Sequence, residues 1–356
     1  MSSRGASQLA QQVQGYFSAS TSWQYEKLLG YGSFGLAILV SQKGAGPSGL
    51  MVVKVALNST GTQLRNEISW LKQLNGAMHI VRMIASVDPE RPKLDNNRRP
   101  PVAWVFDPLV RLRGPVLAME YINGGDLTTL FRKILQKRGG AHMPNRILWS
   151  LYLCLIRACI GMAYPVGAPL TSTASTLETI RPGKPPLSLK HNDIALRNVM
   201  VGTARKESEH SIGHIFKLID FGLAKTEVGG SSDNLLRVTE VVASFICMNP
   251  SPTWIRPELY KGFETRGAYL LPRPERNPYP WLDPDLSGLM AECMYTDRAR
   301  RPSLQQALSR AQHAVLNKTS NMFPNPDQET DEAIKDFVQQ FVLTCPGISI
   351  LVNIVS

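Results

Sequence analysis

Hydrophobic and polar positions change their period along this chain. From residue 25 to about 55, short apolar runs (Ile38-Leu39-Val40, Met51-Val52-Val53) are flanked by Gly, Ser and Pro. That pattern predicts strand, glycine turn, strand, loop, strand. Leu64, Ile68, Leu71 and Leu74 then fall at helical spacing, with a Thr ahead of them and Gly76 behind. Residues 79–87 and 116–121 read as strands, separated by a Pro/Arg/Asn-rich loop over 88–101. Helical periodicity returns over 127–137, 147–164, 285–295 and 303–316, and 329–343 is a further candidate. Residues 1–22 read as a loose leader, 165–186 and 202–214 as inserted surface loops, and the stretch from Asp220 to about Pro257 as a long loop. Strands first and helices afterwards predict an α+β fold. Its expected parts are a β-rich lobe over 23–122, a larger helical lobe over 123–316, and an extension with a helix over 317–356.

Composition narrows the picture little. The chain has 356 residues, enough to bury a large core, and its apolar (43%) and charged (19%) fractions are those of globular material. No apolar run reads as membrane-spanning, since the best stretch, 149–164, is interrupted by Arg157. The N-terminus lacks the charged and apolar regions of a secretory signal, and its faint likeness to a mitochondrial presequence gives way to a disordered tail. The five cysteines are odd in number and without metal-ligand spacing, which predicts a reduced, intracellular location, cytoplasmic or nuclear. The formal charge of +11 is spread along the chain with no aromatic-interleaved basic run. It reads as a general bias, and neither nucleic acid nor membrane is expected as a partner.

The chemistry concentrates in two segments. His191-Asn192-Asp193 leads to Asn198 five residues after the carboxylate, and Leu218-Ile219-Asp220-Phe221-Gly222 supplies a second acid. Two acids and an amide on adjacent loops can orient a hydroxyl and hold magnesium on a polyphosphate. Upstream, Gly30, Gly32 and Gly35 lie between two strand-like segments, where glycines let backbone approach phosphates. Lys54 ends the next strand, and Glu67 sits within the following helix. Each has an ordinary explanation alone: a glycine turn, a solvated edge lysine, a surface acid. The order Gly loop, Lys, Glu, Asp193, Asn198, Asp220 is hard to obtain by chance.

In that order the chain resembles a eukaryotic protein kinase domain from about residue 25 to 314, similar to divergent, fungal-type members. The resemblance implies a bilobal fold and ATP and Mg2+ as cofactors, with transfer of the γ-phosphoryl group to a protein hydroxyl. Gly30, Gly32 and Gly35 would cover the phosphates. Ala37, Val52 and Met200 would enclose adenine, and Met119 would guard the back pocket. Glu120 and Tyr121 would form the hinge, and Asp126 would reach the ribose. Lys54 would hold the α- and β-phosphates and pair with Glu67. Asp193 would be the catalytic base, Asn198 and Asp220 would bind magnesium, and Phe221 would pack between lobes. The resemblance also assigns 251–258 to the end of an activation segment. It expects a buried Glu258–Arg301 pair, whose loss would cost about 3–5 kcal/mol.

Three departures shape the expectation. Asn192 replaces the Arg that usually precedes the catalytic Asp and receives an activation-loop phosphate, so regulation independent of such a phosphate is expected. Ala195, Arg197, Ser251 and Trp254 give conflicting acceptor signals, with Ser/Thr favoured over Tyr. After Glu258 the sequence is short and proline-rich, and the family's central helix is not evident there. That gap motivates an alternative reading as a pseudokinase scaffold. A small-molecule kinase of the aminoglycoside or choline type is a further alternative, opposed by Glu258, Arg301 and the glycine loop.

Overall fold

Alternating burial along the first strands builds a five-stranded antiparallel sheet. Its members are β1 (Trp23–Tyr31), β2 (Gly35–Gln42), β3 (Leu50–Ala56), β4 (Met83–Val87) and β5 (Val116–Glu120), in the order β1-β2-β3-β5-β4. The computed structural model of the chain describes residues 3–31, 35–56, 61–88, 114–137, 142–204, 208–210, 213–251, 256–273 and 275–343. Gly32, Trp254, Cys345, most of the 88–101 loop and its neighbouring arginines lie outside that set.

The chain is mixed α+β, with sheet preceding most of the helices. Between β3 and β4, helix α2 (Thr62–Leu74) buries Leu64, Ile68, Leu71 and Leu74, the stripe its spacing predicts, and Glu67 with them. After β5, Asp126 caps α3 (Leu127–Gln136) by accepting from the Thr129 amide at 2.8 Å. Next comes α4 (Asn145–Ala163), apolar on every side. By length and composition alone α4 could cross a membrane, but 94% of its apolar window is buried within the fold, as the sequence expectation of a buried helix has it. Apolarity all round is what a central core helix requires.

Around α4 lie β6 (Leu189–Lys190), the hairpin β7 (Val199–Ala204) and β8 (His214–Leu218), and the short β9 (Lys225–Thr226) paired with β6. There follow α5 (Gly230–Cys247), the hairpin β10 (Glu258–Tyr260) and β11 (Phe263–Thr265), then α6 (Pro284–Cys293), α7 (Leu304–Asn317) and α8 (Asp331–Phe337). The last helix continues to 343 as a wider turn, and the preceding Glu329 accepts from the Asn145 amide at 2.7 Å, tying the extension to the start of α4.

Four expectations are corrected. The leader is not loose: residues 3–18 form helix α1 (Ser3–Ser18), with Val13 and Phe17 buried in one cluster with Trp23, Ile38 and Val40. The loop expected from Asp220 to Pro257 contains α5, whose Leu235, Val238, Val242 and Phe245 are fully or almost fully buried. The expected Glu258–Arg301 pair does not form. Glu258 pairs with exposed Arg273 at 2.7 Å, while Arg301 donates to the Tyr295 carbonyl at 2.9 Å and lies 3.5 Å from Asp233. The stretch 165–186 is not simply a surface loop, because Thr176 exchanges backbone bonds with Gly76 and Met78 and Glu178 is buried.

Phe17→Ala tests the docking of α1. Emptying that buried site should cost about 3–5 kcal/mol in urea-induced unfolding. A change within experimental error would mean that α1 does not pack on the sheet.

Candidate active site

The two sequence segments with the densest chemistry are held together by strand pairing. β7 begins directly after Asn198 and β8 ends directly before Ile219, with Val199 opposite Leu218. The Ile219 amide donates to the Asn198 carbonyl at 2.9 Å. This antiparallel register places the loop of Asp193 and Asn198 beside the loop of Asp220.

His191 completes the junction. Its Nδ1 accepts from the Asp193 amide at 3.2 Å, so the proton sits on Nε2, which donates to the Ile219 carbonyl at 3.0 Å. Burial pushes the His191 pKa down, which suits the neutral ring these bonds require. Phe221 stacks at a tilt against it, ring centres 4.6 Å apart, and is fully buried. Below, Asn234 of α5 accepts from the His191 amide at 3.0 Å and donates to the Leu189 carbonyl at 2.8 Å. The helix missing from the sequence reading is therefore present beneath this loop, supplied by α5.

Asn198 orients Asp193. Its Nδ2 donates to the Asp193 carbonyl at 2.7 Å and to the carboxylate at 2.8 Å. Arg197 also contacts that carboxylate. Asp220 has a left-handed backbone, φ 67°, and so does Asn192, φ 65°. Asn and Asp both tolerate that region better than other side chains, yet a non-glycine residue held there carries some strain and marks a constrained position. The Asn192 side chain donates to the Leu223 carbonyl at 3.1 Å, a further tie between the loops.

Lys54 lies at the centre of charge. Its Nζ is 2.7 Å from Glu67 Oε1, 3.0 Å from Oε2 and 3.6 Å from Asp220 Oδ1. Burial opposes the ammonium, but the carboxylates of Asp220 and Glu67 outweigh it and raise the pKa. Lys54 in turn holds the Asp220 carboxyl below its usual range. Burial pushes Glu67 up to about 7, partly offset by Lys54. Helix α2 is pinned to the Asp220 segment at two further points: Asn66 donates to the carbonyls of Gly222 (2.9 Å) and Ala224 (2.8 Å), and Trp70 donates to that of Ala224 (3.0 Å).

The remaining predicted residues spread over β1, β2, β3, β5 and β7 and the start of α3. Gly30 pairs in register with Ala37, Ala37 with Lys54, and Val52 with Met119. At Gly35 a Cβ would stand 3.0 Å from the Val55 carbonyl oxygen, so a side chain there would crowd the neighbouring strand. Met119 and Met200 are buried, and Met200 bridges to Asp126. The Asp126 carboxyl is used by the α3 cap, and burial raises its pKa. Glu120 turns its carboxylate to the Arg82 amide (2.8 Å) and to Lys217 Nζ (2.6 Å). Tyr121 is half-buried, which raises its phenol pKa. Gly124 is confined, since a Cβ there would meet the Val201 carbonyl oxygen at 2.3 Å.

Asn198 and Asp220 fit a magnesium ion chemically. With the Asn198 amide nitrogen committed to Asp193, its oxygen is the group left to coordinate, and Asp220 is an ionised carboxylate. Both are hard oxygen donors. Beside the Asp193 loop, Ile194, Ala195, Arg197, Arg237, Glu240 and Ser244 line a cavity of about 260 Å³. The sequence reading did not single out Asn66, Trp70 or Asn234. Only the neighbourhood of Asn66 to Glu67 carried a signal.

Compared with known proteins, the chain matches no family model and no curated protein.

The Glu67 shift has a direction in pH. Its folded-state pKa of about 7 lies above the ordinary 4.5, so the folded form binds the extra proton between those values. Its contribution to stability is fully present below pH 4.5 and is lost as pH rises through 7, by on the order of 3 kcal/mol at most. Asp220 has the opposite sign, since its contribution is lost as pH falls below the ordinary carboxylate range. Glu67→Gln should therefore flatten the urea midpoint between pH 5 and 7 relative to wild type.

Proposed function

We propose that this chain is a magnesium- and ATP-dependent phosphotransferase acting on a hydroxyl group. The observation that carries the reading is the charge relay Glu67–Lys54–Asp220, set beside an Asp193 carboxylate oriented by Asn198. A lysine fixed by two carboxylates presents its ammonium to phosphate oxygens in a defined place. Magnesium held by Asn198 and Asp220 would neutralise charge on the phosphates. Asp193 accepts the proton of the attacking hydroxyl as the new P–O bond forms and the bond to the ADP leaving group breaks. Positioning and charge stabilisation supply much of the rate in such a transfer.

The kinase-like resemblance directs the transfer to a protein Ser or Thr hydroxyl within a bilobal arrangement. A second reading, a small hydroxylated acceptor, is favoured by one specific feature. The chain runs from Asp220 to the start of α5 at Gly230 in ten positions, clamped on the way by β9. The motif over 251–258 follows α5 instead of preceding it, so the short link carries no peptide platform assigned by that motif. The Glu258–Arg301 pair that argued for a protein kinase is also not made. The scaffold reading rested on a missing central helix, and α5 removes that motive.

The test is phosphate transfer from labelled ATP, with magnesium, to a mixed peptide library and to a panel of small polyols and amino alcohols. Wild type should transfer to one class. Asp193→Asn should lower the rate by about 10²–10⁴-fold while nucleotide binding persists, and Asp220→Ala should abolish magnesium dependence. ATP binding without transfer above the Asp193→Asn background would overturn the enzymatic reading.

A further inference from the structure

A second cluster of chemistry lies behind the sheet-to-helix junction, away from the proposed phosphotransfer residues. His79 precedes β4, Cys154 lies in the middle of α4, and His210 lies in the connection between β7 and β8. All three are buried to within 1% of complete. One ring nitrogen from each histidine and the Cys154 sulfur lie within 4.8 Å of one another. The two Nε2 atoms are 3.3 Å apart, and the sulfur is 3.9 Å from His210 Nδ1.

Glu178 decides which His79 nitrogen is available. Its Oε2 is 2.7 Å from Nδ1, and its Oε1 accepts from the His79 amide at 2.7 Å. A carboxylate on Nδ1 fixes the ring and leaves Nε2 facing the cluster, as outer carboxylates do for metal-bound histidines. The next charged pair is Arg157 with Glu209; Glu209 also accepts from Gln312 at 2.8 Å, and Arg157 donates to the Glu178 carbonyl at 2.6 Å.

The geometry points to a buried site for a thiophilic transition-metal cation, zinc(II) in the first place, bound by His79, Cys154 and His210. Zinc–nitrogen bonds of about 2.0–2.1 Å across a tetrahedral centre put two ligand nitrogens about 3.3 Å apart, the separation of the two Nε2 atoms here. The sulfur contacts the other ring nitrogen of His210, so the His210 ring or the Cys154 side chain has to turn for all three groups to reach one ion, with a zinc–sulfur bond of about 2.3 Å. Charge also balances: a thiolate and the Glu178 carboxylate supply two negative charges against the divalent ion, so the dry site carries no net charge. With both imidazoles neutral, binding releases one proton, that of the thiol, and each histidine keeps its own proton on the nitrogen that does not bind the ion. Two imidazoles and one thiolate suit zinc or copper, whereas magnesium prefers the oxygen donors of Asn198 and Asp220. The role is structural. His79 is bonded through its carbonyl to the Leu218 amide at 2.9 Å, two residues before Asp220, so a bound ion would brace β8 from behind.

Elemental analysis of the full chain, purified without chelator, tests this. About one equivalent of zinc or copper per chain is expected, retained in Asp220→Ala and in Cys159→Ser on the same helix, and lost in Cys154→Ser and His210→Gln. Should the last two fail to fold, cobalt(II) added to EDTA-treated wild type decides. A thiolate-to-cobalt charge-transfer band with tetrahedral visible bands supports the site. Absence of that band, or metal content unchanged in Cys154→Ser, overturns it. Neither readout depends on phosphotransfer, so its failure and that of the proposed activity are separable.

Discussion

The neutral imidazole of His191 is the contact on which the site depends. The ring ties its own loop, through the Asp193 amide, to the Asp220 loop, through the Ile219 carbonyl, and the backbone amide of the same residue reaches α5 through Asn234. Protonating it would convert an acceptor into a donor against an amide N–H. Burial guards against that by disfavouring the charged ring. The strained Asp220 backbone is tolerable because these bonds, together with those from Asn66 and Trp70, leave the segment little alternative.

Charge is arranged in the same economical way. Glu67 is buried on a helix face that is otherwise Leu and Ile, and it is tolerable there because Lys54 meets it. Lys54 in turn is shared with Asp220. Removing Lys54 strands two carboxylates, whereas removing either carboxylate leaves Lys54 paired with the other, so the trio behaves as one unit and single substitutions will not add independently.

Much of this was legible in the sequence, and the rest was hidden for identifiable reasons. Strands β2 and β3 and helices α2, α3, α4, α6 and α7 follow from apolar periodicity, because each buries one regular stripe or a whole surface. Helix α5 was obscured by its opening Gly229-Gly230-Ser231-Ser232, which carries loop chemistry although Leu235, Val238 and Val242 follow at helical spacing. Helix α1 was obscured by glutamines and serines around a sparse stripe of Leu9, Val13 and Phe17. The residues of the Lys54 and Asp193 centres were readable because their chemistry is local to short motifs. The Glu258–Arg301 expectation failed because it borrowed a family's chain order, and here the helix comes first. The histidine–cysteine cluster had no sequence signal at all, since His79 and His210 stand 131 residues apart.

The short passage from Asp220 to α5 bears on how such a protein can be controlled. Switches that order on phosphorylation draw their free energy from the entropy of a long loop and need an arginine to receive the phosphate. Here the passage spans ten positions and is stitched to α2 at Ala224 and to β6 at Lys225. It has almost no disorder to surrender. A passage held this way takes its one arrangement together with the helix and strand that clamp it.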